Sequence, residues 1–204
     1  MKIKLLIASS FFFVAPIFAT SIPLPYNTGE SSTNTVLAGG SVDTHWTAWN
    51  GPTIYVAGAP NAAWAVPTTT AAWVTVDPNN GASLNKGSYT ENYFVTFNLT
   101  GFDPTAVELT GLFAADDELN NIYVNGISTG IFSPYSWSTL QAFTLEQYFV
   151  SGNNTIDFNF TNVQGAGGIL VEFTSASTTP EPASYALVGL GMAGLALVRK
   201  KVSK

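Results

Sequence analysis

Ile156-Asp157-Phe158-Asn159-Phe160-Thr161 decides the fold class. Large apolar side chains occupy every second position, with a carboxylate, an amide and a hydroxyl between them. A period of two puts Ile156, Phe158 and Phe160 on one face of a strand and the polar three on the other. One face is then buried and one is wet, as in antiparallel sheets packed face to face. The same alternation recurs along the chain. In 89–100, Tyr93, Val95, Phe97 and Leu99 oppose Asn92, Thr96 and Asn98. In 106–113, Val107 and Leu109 oppose Glu108 and Thr110, and farther on Ile169, Val171 and Phe173 alternate with Leu170, Glu172 and Thr174. Ile122-Tyr123-Val124 runs into Asn125-Gly126, the strongest short hairpin signal. Apolar runs at 54–57, 62–66, 71–76 and 143–150 predict further short strands, and 77–81 a loop. The triplets Ala62-Ala63-Trp64 and Ala71-Ala72-Trp73 predict two strands that place a Trp in the same core. Residues 20–42, rich in Ser, Thr, Asn, Gly and Pro, read as a loose leader or a first edge strand. The expectation is an all-β chain, an antiparallel β-sandwich over residues 43–175.

Both ends carry targeting signals. Residues 1–19 read as a signal peptide, with Lys2 and Lys4 ahead of an apolar run and a small-residue cleavage site at Ala19. A linker at 176–182 contains Pro180-Glu181-Pro182, and 183–198 is an apolar run closed by the basic end 199–204, with Arg199, Lys200 and Lys201. At helical rise that run covers roughly 24 Å, against a hydrocarbon core of ~30 Å. It is read as one short C-terminal transmembrane helix whose basic end stays cytoplasmic, leaving the preceding chain outside. Gly189-Leu190-Gly191-Met192-Ala193-Gly194 matches G-x-G-x-x-G, but no strand precedes it and no βαβ unit surrounds it. Small residues there serve close helix approach in a membrane, not a dinucleotide.

Charge is distributed unevenly. Of 7 basic residues only Lys86 lies outside the two sorting ends, whereas twelve of the 13 carboxylates run from Glu30 to Glu172. Such a surface repels phosphate backbones and argues against nucleic-acid binding. There are 0 cysteines, so the exported core holds together without disulfides, and thiol chemistry is excluded.

Chemistry-bearing residues are few. Asp116, Asp117, Glu118, Asn120 and Asn121 crowd one loop, the first four being the metal-ligating candidates. Hard oxygen ligands at that spacing suit Ca2+, which takes about six to eight of them; the other readings are a solvated acidic turn and direct ligand contact. Trp46, Trp49 and Trp137 stand near Gly, Pro or Ser, where aromatic faces stack on sugar rings or plug the ends of the core. Asn125 of the hairpin joins them as a polar ligand-binding candidate. No catalytic residue is assigned and no enzyme is expected. His45 is the single histidine, there is no G-x-S-x-G, and a glycosidase pair such as Asp116 with Glu118, or Asp157 with Glu172, cannot be placed by sequence.

The order Pro180-Glu181-Pro182, apolar run, basic end resembles the PEP-CTERM sorting signal. It implies recognition by an exosortase, cleavage near those prolines, transient anchoring in the inner membrane, and delivery to the outer surface or an exopolysaccharide matrix. Residues 43–175 resemble the galactose-binding-like jelly roll of bacterial surface proteins. The matching pieces include Val42-Asp43-Thr44-His45-Trp46, Phe97-Asn98-Leu99-Thr100-Gly101-Phe102-Asp103, Asp116-Asp117-Glu118-Leu119 and Gly152-Asn153-Asn154-Thr155-Ile156-Asp157-Phe158. That resemblance implies the fold, while sandwiches of this kind host sugar binding, accessory and adhesive roles. The expected function is a non-enzymatic surface or matrix protein that binds carbohydrate; the alternatives are a structural matrix protein without a specific ligand and a glycoside-active enzyme.

Overall fold

The alternating stretch around Phe158 becomes the middle strand of a five-stranded sheet in the computed structural model, which describes residues 20–49, 51–76 and 88–178, with Gly189 and Gly191 beyond them. The signal peptide, the 77–81 loop, the Pro180-Glu181-Pro182 linker and the basic end lie outside the described residues, as does the 183–198 run except for those two glycines, both helical. No helix among the described residues is long and apolar enough to cross a membrane. Thr20–Thr179 forms a compact unit.

The strands are β1 (Thr20–Ser21), β2 (Val42–Asp43), β3 (Trp46–Ala48), β4 (Ile54–Val56), β5 (Val74–Thr75) and β6 (Tyr89–Asn98), then β7 (Val107–Asp116), β8 (Glu118–Val124), β9 (Ile127–Ser128), β10 (Gln141–Leu145), β11 (Asn153–Asn162) and β12 (Gly168–Thr178). One sheet runs β10-β7-β12-β5-β4-β2, with β1 paired to the far end of β12; the other runs β3-β6-β11-β8-β9. Every pairing is antiparallel. From β5 onward the chain crosses repeatedly between sheets, so β5-β12-β7-β10 faces β6-β11-β8-β9, the strand order of a jelly roll. The expected antiparallel β-sandwich is therefore the observed fold.

The inward phases of the two sheets meet in one core. Trp46, Tyr93, Val95, Phe97, Leu119, Ile122, Ile156, Phe158 and Phe160 come from the five-stranded sheet; Ile54, Leu109, Phe113, Phe143, Ile169, Val171 and Phe173 come from the other. A second, smaller cluster contains Trp64, Trp73, Ala114, Ala166 and Leu170. Ala114 and Leu170 are neighbours of core residues on the same strands, so they face away from the sandwich interior. The 57–73 segment folds over that outer side and covers it, with Trp64 and Trp73 stacked at 4.2 Å. The run Gly168-Ile169-Leu170-Val171 is apolar on consecutive residues because β12 is buried on both faces there.

Several local expectations change. Residues 62–66 form no strand: Trp64 N–H donates to Asn61 O at 2.9 Å and Ala63 N–H to Asn61 Oδ1 at 2.9 Å, a turn held by its own asparagine. Of 71–76 only Val74–Thr75 is paired as a strand, and β10 stops at Leu145. The leader is not loose. Thr28 N–H donates to Val171 O at 3.0 Å, the Thr28 hydroxyl to Ala72 O at 2.7 Å, and Phe173 N–H to Asn27 Oδ1 at 2.7 Å. The leader thus satisfies the flank of β12 where β5 has ended, as buried backbone groups require.

Candidate functional site

With its inward phase spent on the core, the five-stranded sheet is left with an outer face of amides and hydroxyls. Register places Asn92 of β6 opposite Asn159 of β11, and Asn159 opposite Asn121 of β8. Between Asn159 and Phe160 the β8–β11 register slips, and Asn120 is the extra residue of that bulge. Bulges re-aim side chains, and this one turns the Asn120 amide onto the outer face. Its Nδ2 donates to Asn159 Oδ1 and to Thr161 Oγ1, both at 2.9 Å. Asn159 Nδ2 donates to Asn92 Oδ1 at 2.6 Å, and Asn92 Nδ2 donates to Asp157 Oδ2 at 2.6 Å. Each amide orientation is set by the next, so a chain of donors runs in one direction across three strands and ends on a carboxylate.

Aromatic rings border this field. Trp49 follows β3, its N–H donates to Asn92 O at 2.9 Å, and its side chain is 61% exposed. On the opposite side the chain beyond β9 runs along β8: Ile122 N–H donates to Ile131 O at 3.1 Å, and Leu119 and Ser133 exchange bonds of 2.9 Å. Phe132 lies between those anchors. Ile131 packs on the core, so Phe132 points the other way, 70% exposed. Between the two rings lie four strand spacings, roughly 19 Å at ~4.8 Å each. Phe94 of β6 and Tyr123 of β8, both half-buried, stand opposite Asp157 on either side. The result is an open, hydrogen-bonding platform with an aromatic at each margin. Shallow clefts lie elsewhere, one of about 160 Å³ between Thr129, Ile131 and Tyr148 and one of about 400 Å³ beside Tyr26 and Glu30.

The sequence candidates divide. Trp49 stands at the margin of the platform. Trp46 does not reach a ligand: it is 3% exposed, its ring stacks near Phe158 and Phe173, and its indole N–H donates to Tyr26 O at 3.1 Å. Trp137 packs half-buried on the outer cluster, edge-on to Tyr135 at 5.6 Å. Asn125 is a structural turn residue: at φ 52° it donates to Tyr148 O and Asn154 Oδ1, both at 2.8 Å, and accepts Thr155 N–H at 3.0 Å. Three internal bonds hold its amide in place. His45 stacks on Tyr26 at 3.6 Å, with Nδ1 3.0 Å from Glu30 O. Asp157 and Glu172 face outward from opposite sheets and form no pair.

At the acidic turn two carboxylate oxygens are engaged within the protein. Asp116 Oδ2 accepts the Trp64 indole N–H at 2.6 Å, while Asp117 Oδ2 accepts Val163 N–H at 2.6 Å. Asn120 donates through Nδ2 into the amide chain, and among the described residues no three acidic or histidine side chains converge on one point. Asp116 and Asp117 remain neighbours at this turn between β7 and β8, close enough for the Asp117 carboxyl to act on that of Asp116 by charge and by a side-chain hydrogen bond.

Asp116 has a different consequence. Burial raises its carboxyl from the ordinary value of 3.8 to about 7; the Trp64 N–H offsets part of this and Asp117 adds to it. Burial also raises Asp43 and Asp157. A native carboxyl that holds its proton to higher pH than the unfolded one makes stability fall as pH rises between the two values. The domain is expected to melt at a higher temperature at pH 5 than at pH 8. Asp116 accounts for on the order of 1–2 kcal/mol once partial hydration of its carboxyl is discounted. Asp116→Asn, which keeps the indole acceptor, removes most of the difference. Melting curves across that range check it; a melting temperature that is flat or rises with pH contradicts it.

Two kinds of comparison bear on the chain. Residues 178–201 match the PEP-CTERM protein-sorting motif. That motif marks an exported protein sorted to the cell envelope. No curated protein matches the sequence. Similar solved structures include the native structure of a family 35 carbohydrate binding module from Clostridium thermocellum, 12% identical, covering 64% of this chain and 93% of that one with a TM-score of 0.38. Another is a family 35 carbohydrate binding module from an environmental isolate, 11% identical, covering 77% of this chain and 99% of that one with a TM-score of 0.36. The strand order itself, not these overlaps, establishes the sandwich.

Proposed function

We propose that the exported sandwich is a non-catalytic module that binds polysaccharide across the outer face of its five-stranded sheet. The amide chain Asn120–Asn159–Asn92, bounded by exposed Trp49 and Phe132, is the observation that carries this reading. A sugar chain offers flat apolar ring faces and many hydroxyls. Fixed amides and exposed rings match both without a closed pocket. A glycan array probed with the exported protein tests it, followed by affinity measurements on retained glycans. Trp49→Ala and Phe132→Ala are each expected to weaken binding about tenfold, the effect of losing a ring anchor. Because both rings are exposed, stability should change by under ~0.5 kcal/mol. A protein that retains no glycan, or retains it equally well without either ring, would instead be a matrix component without a specific sugar ligand.

The sorting motif supports a second part of the reading. Exosortase cleaves near Pro180-Glu181-Pro182 and frees the sandwich from its anchor, placing it at the outer surface or in an exopolysaccharide matrix. Proline disfavours helical backbone at the residue before it, a sequence feature that suits a segment entering a protease. Mass spectrometry of surface material is expected to find a C-terminus close to residue 180. Peptides running intact to Lys204 in a host with a working exosortase would replace processing with permanent anchoring.

A further inference from the structure

The amide chain has a polarity. Its successive bonds, from Asn120 through Asn159 and Asn92, all donate toward Asp157, and at the head of the chain Asn120 Oδ1 accepts from no described residue. At the far end Asp157 Oδ1 is buried without a partner among the described residues. Both ends thus present acceptors. Chained amides polarise one another, which strengthens the donation to Asp157 Oδ2 and leaves the acceptor end of the chain at Asn120 Oδ1. Rings flank that carboxylate: Phe94 is paired opposite it on β6 and Tyr123 on β8. Glu118, opposite Thr161 on the same face, adds a further acid. Among the described residues no lysine or arginine offsets them. Burial already raises the Asp157 carboxyl. A half-buried carboxylate without a counter-charge is costly. A ligand cation seated over the rings would relieve that cost, with cation–π attraction added.

We propose that this face, taken as the glycan site, selects polysaccharide bearing free ammonium groups, that is unacetylated amino sugars, over neutral and uronic-acid chains. Hydroxyls of the sugar meet the amides, and an ammonium settles over Phe94, Asp157 and Tyr123. The buried Oδ1 acts on it through space, because a charge some 4–6 Å away in a partly desolvated site still attracts strongly. An anionic uronate meets the same field as repulsion.

Calorimetric titration of the exported protein tests this with oligomers of glucosamine, N-acetylglucosamine and galacturonate, in weakly acidic buffer where the amines are protonated. The glucosamine oligomer is expected to bind about tenfold or more tightly than its acetylated counterpart, with the preference shrinking as salt rises. The galacturonate oligomer should not bind. Asp157→Asn, nearly isosteric, should abolish the preference and spare residual neutral binding, and Tyr123→Leu should reduce it. Glu108→Gln, on the other sheet, should leave it intact. Equal affinity for the two amino-sugar oligomers overturns the proposal, as does a preference that survives Asp157→Asn or falls equally with Glu108→Gln. Neutral binding that depends on Trp49 and Phe132 but shows no ammonium preference overturns this inference alone. If none of these oligomers binds, this inference falls, and both readings fall if the glycan array also retains nothing.

Discussion

Phe158→Ala is expected to destabilise the domain by about 3–5 kcal/mol, the range for truncating a fully buried Phe. Phe158 is 0% exposed in the middle of β11, the strand flanked by β6 and β8. Its ring lies 5.7 Å from Phe143, 5.8 Å from Trp46 and 6.5 Å from Phe173. Phe143 and Phe173 belong to the opposite sheet, so this ring joins the two layers. Truncation leaves a cavity bordered by other large rings, which cannot collapse into it without leaving their own rotamers. Urea denaturation of wild type and variant measures the difference. A loss under about 1 kcal/mol would mean that β11 presents its other face to the core, since a register slip of one residue exchanges the faces.

Trp73→Ala carries the second large effect, again about 3–5 kcal/mol. The residue sits just before β5 with 0% exposure, and its indole N–H donates to Ala65 O at 2.8 Å. Its partner Trp64 is tied by its own N–H to Asp116 at the end of β7. Removing Trp73 strips one face from Trp64, leaves Ala65 O without its donor, and exposes Ala114 and Leu170 on the outside of the sheet. Trp49→Ala, by contrast, removes an exposed ring and should alter stability by under ~0.5 kcal/mol. Thermal melts of the two variants side by side decide the matter. Comparable, small shifts would mean that the 57–73 cover contributes little to the fold.

The period-two runs are legible in the sequence because side-chain alternation is a local property of the strand. Runs such as 89–98 and 153–162 are long enough that only one phase buries Tyr93 with Phe97, or Phe158 with Phe160. Asn125-Gly126 announces its hairpin for an equally local reason: both residues adopt positive φ, 52° and 78°, which a tight two-residue turn demands. The sorting tail is legible too, since motif, apolar run and basic end are ordered along the chain itself. Short segments give less away. The stretch 62–66 is too brief for its pattern to separate a strand from a turn, and Asn61 decides for the turn by bonding its own backbone.

The tryptophans and acids mark the limit. Trp46 and Trp49 lie three residues apart in the same kind of sequence, yet one is in the core and the other at the margin of the platform. A three-residue strand does not set its own phase; pairing with β6 sets it, through Trp46 opposite Val95. Asp116 and Asp117 stay neighbours in the fold, but each also accepts an N–H that the sequence does not announce, from the Trp64 indole and from the Val163 backbone. The platform itself joins Asn92, Asn120 and Asn159 from three strands and needs a one-residue bulge to aim Asn120. Local sequence determined which residues face outward along each strand. Which of those residues become neighbours was decided by cross-strand register, which exists only once the strands have paired in the folded domain.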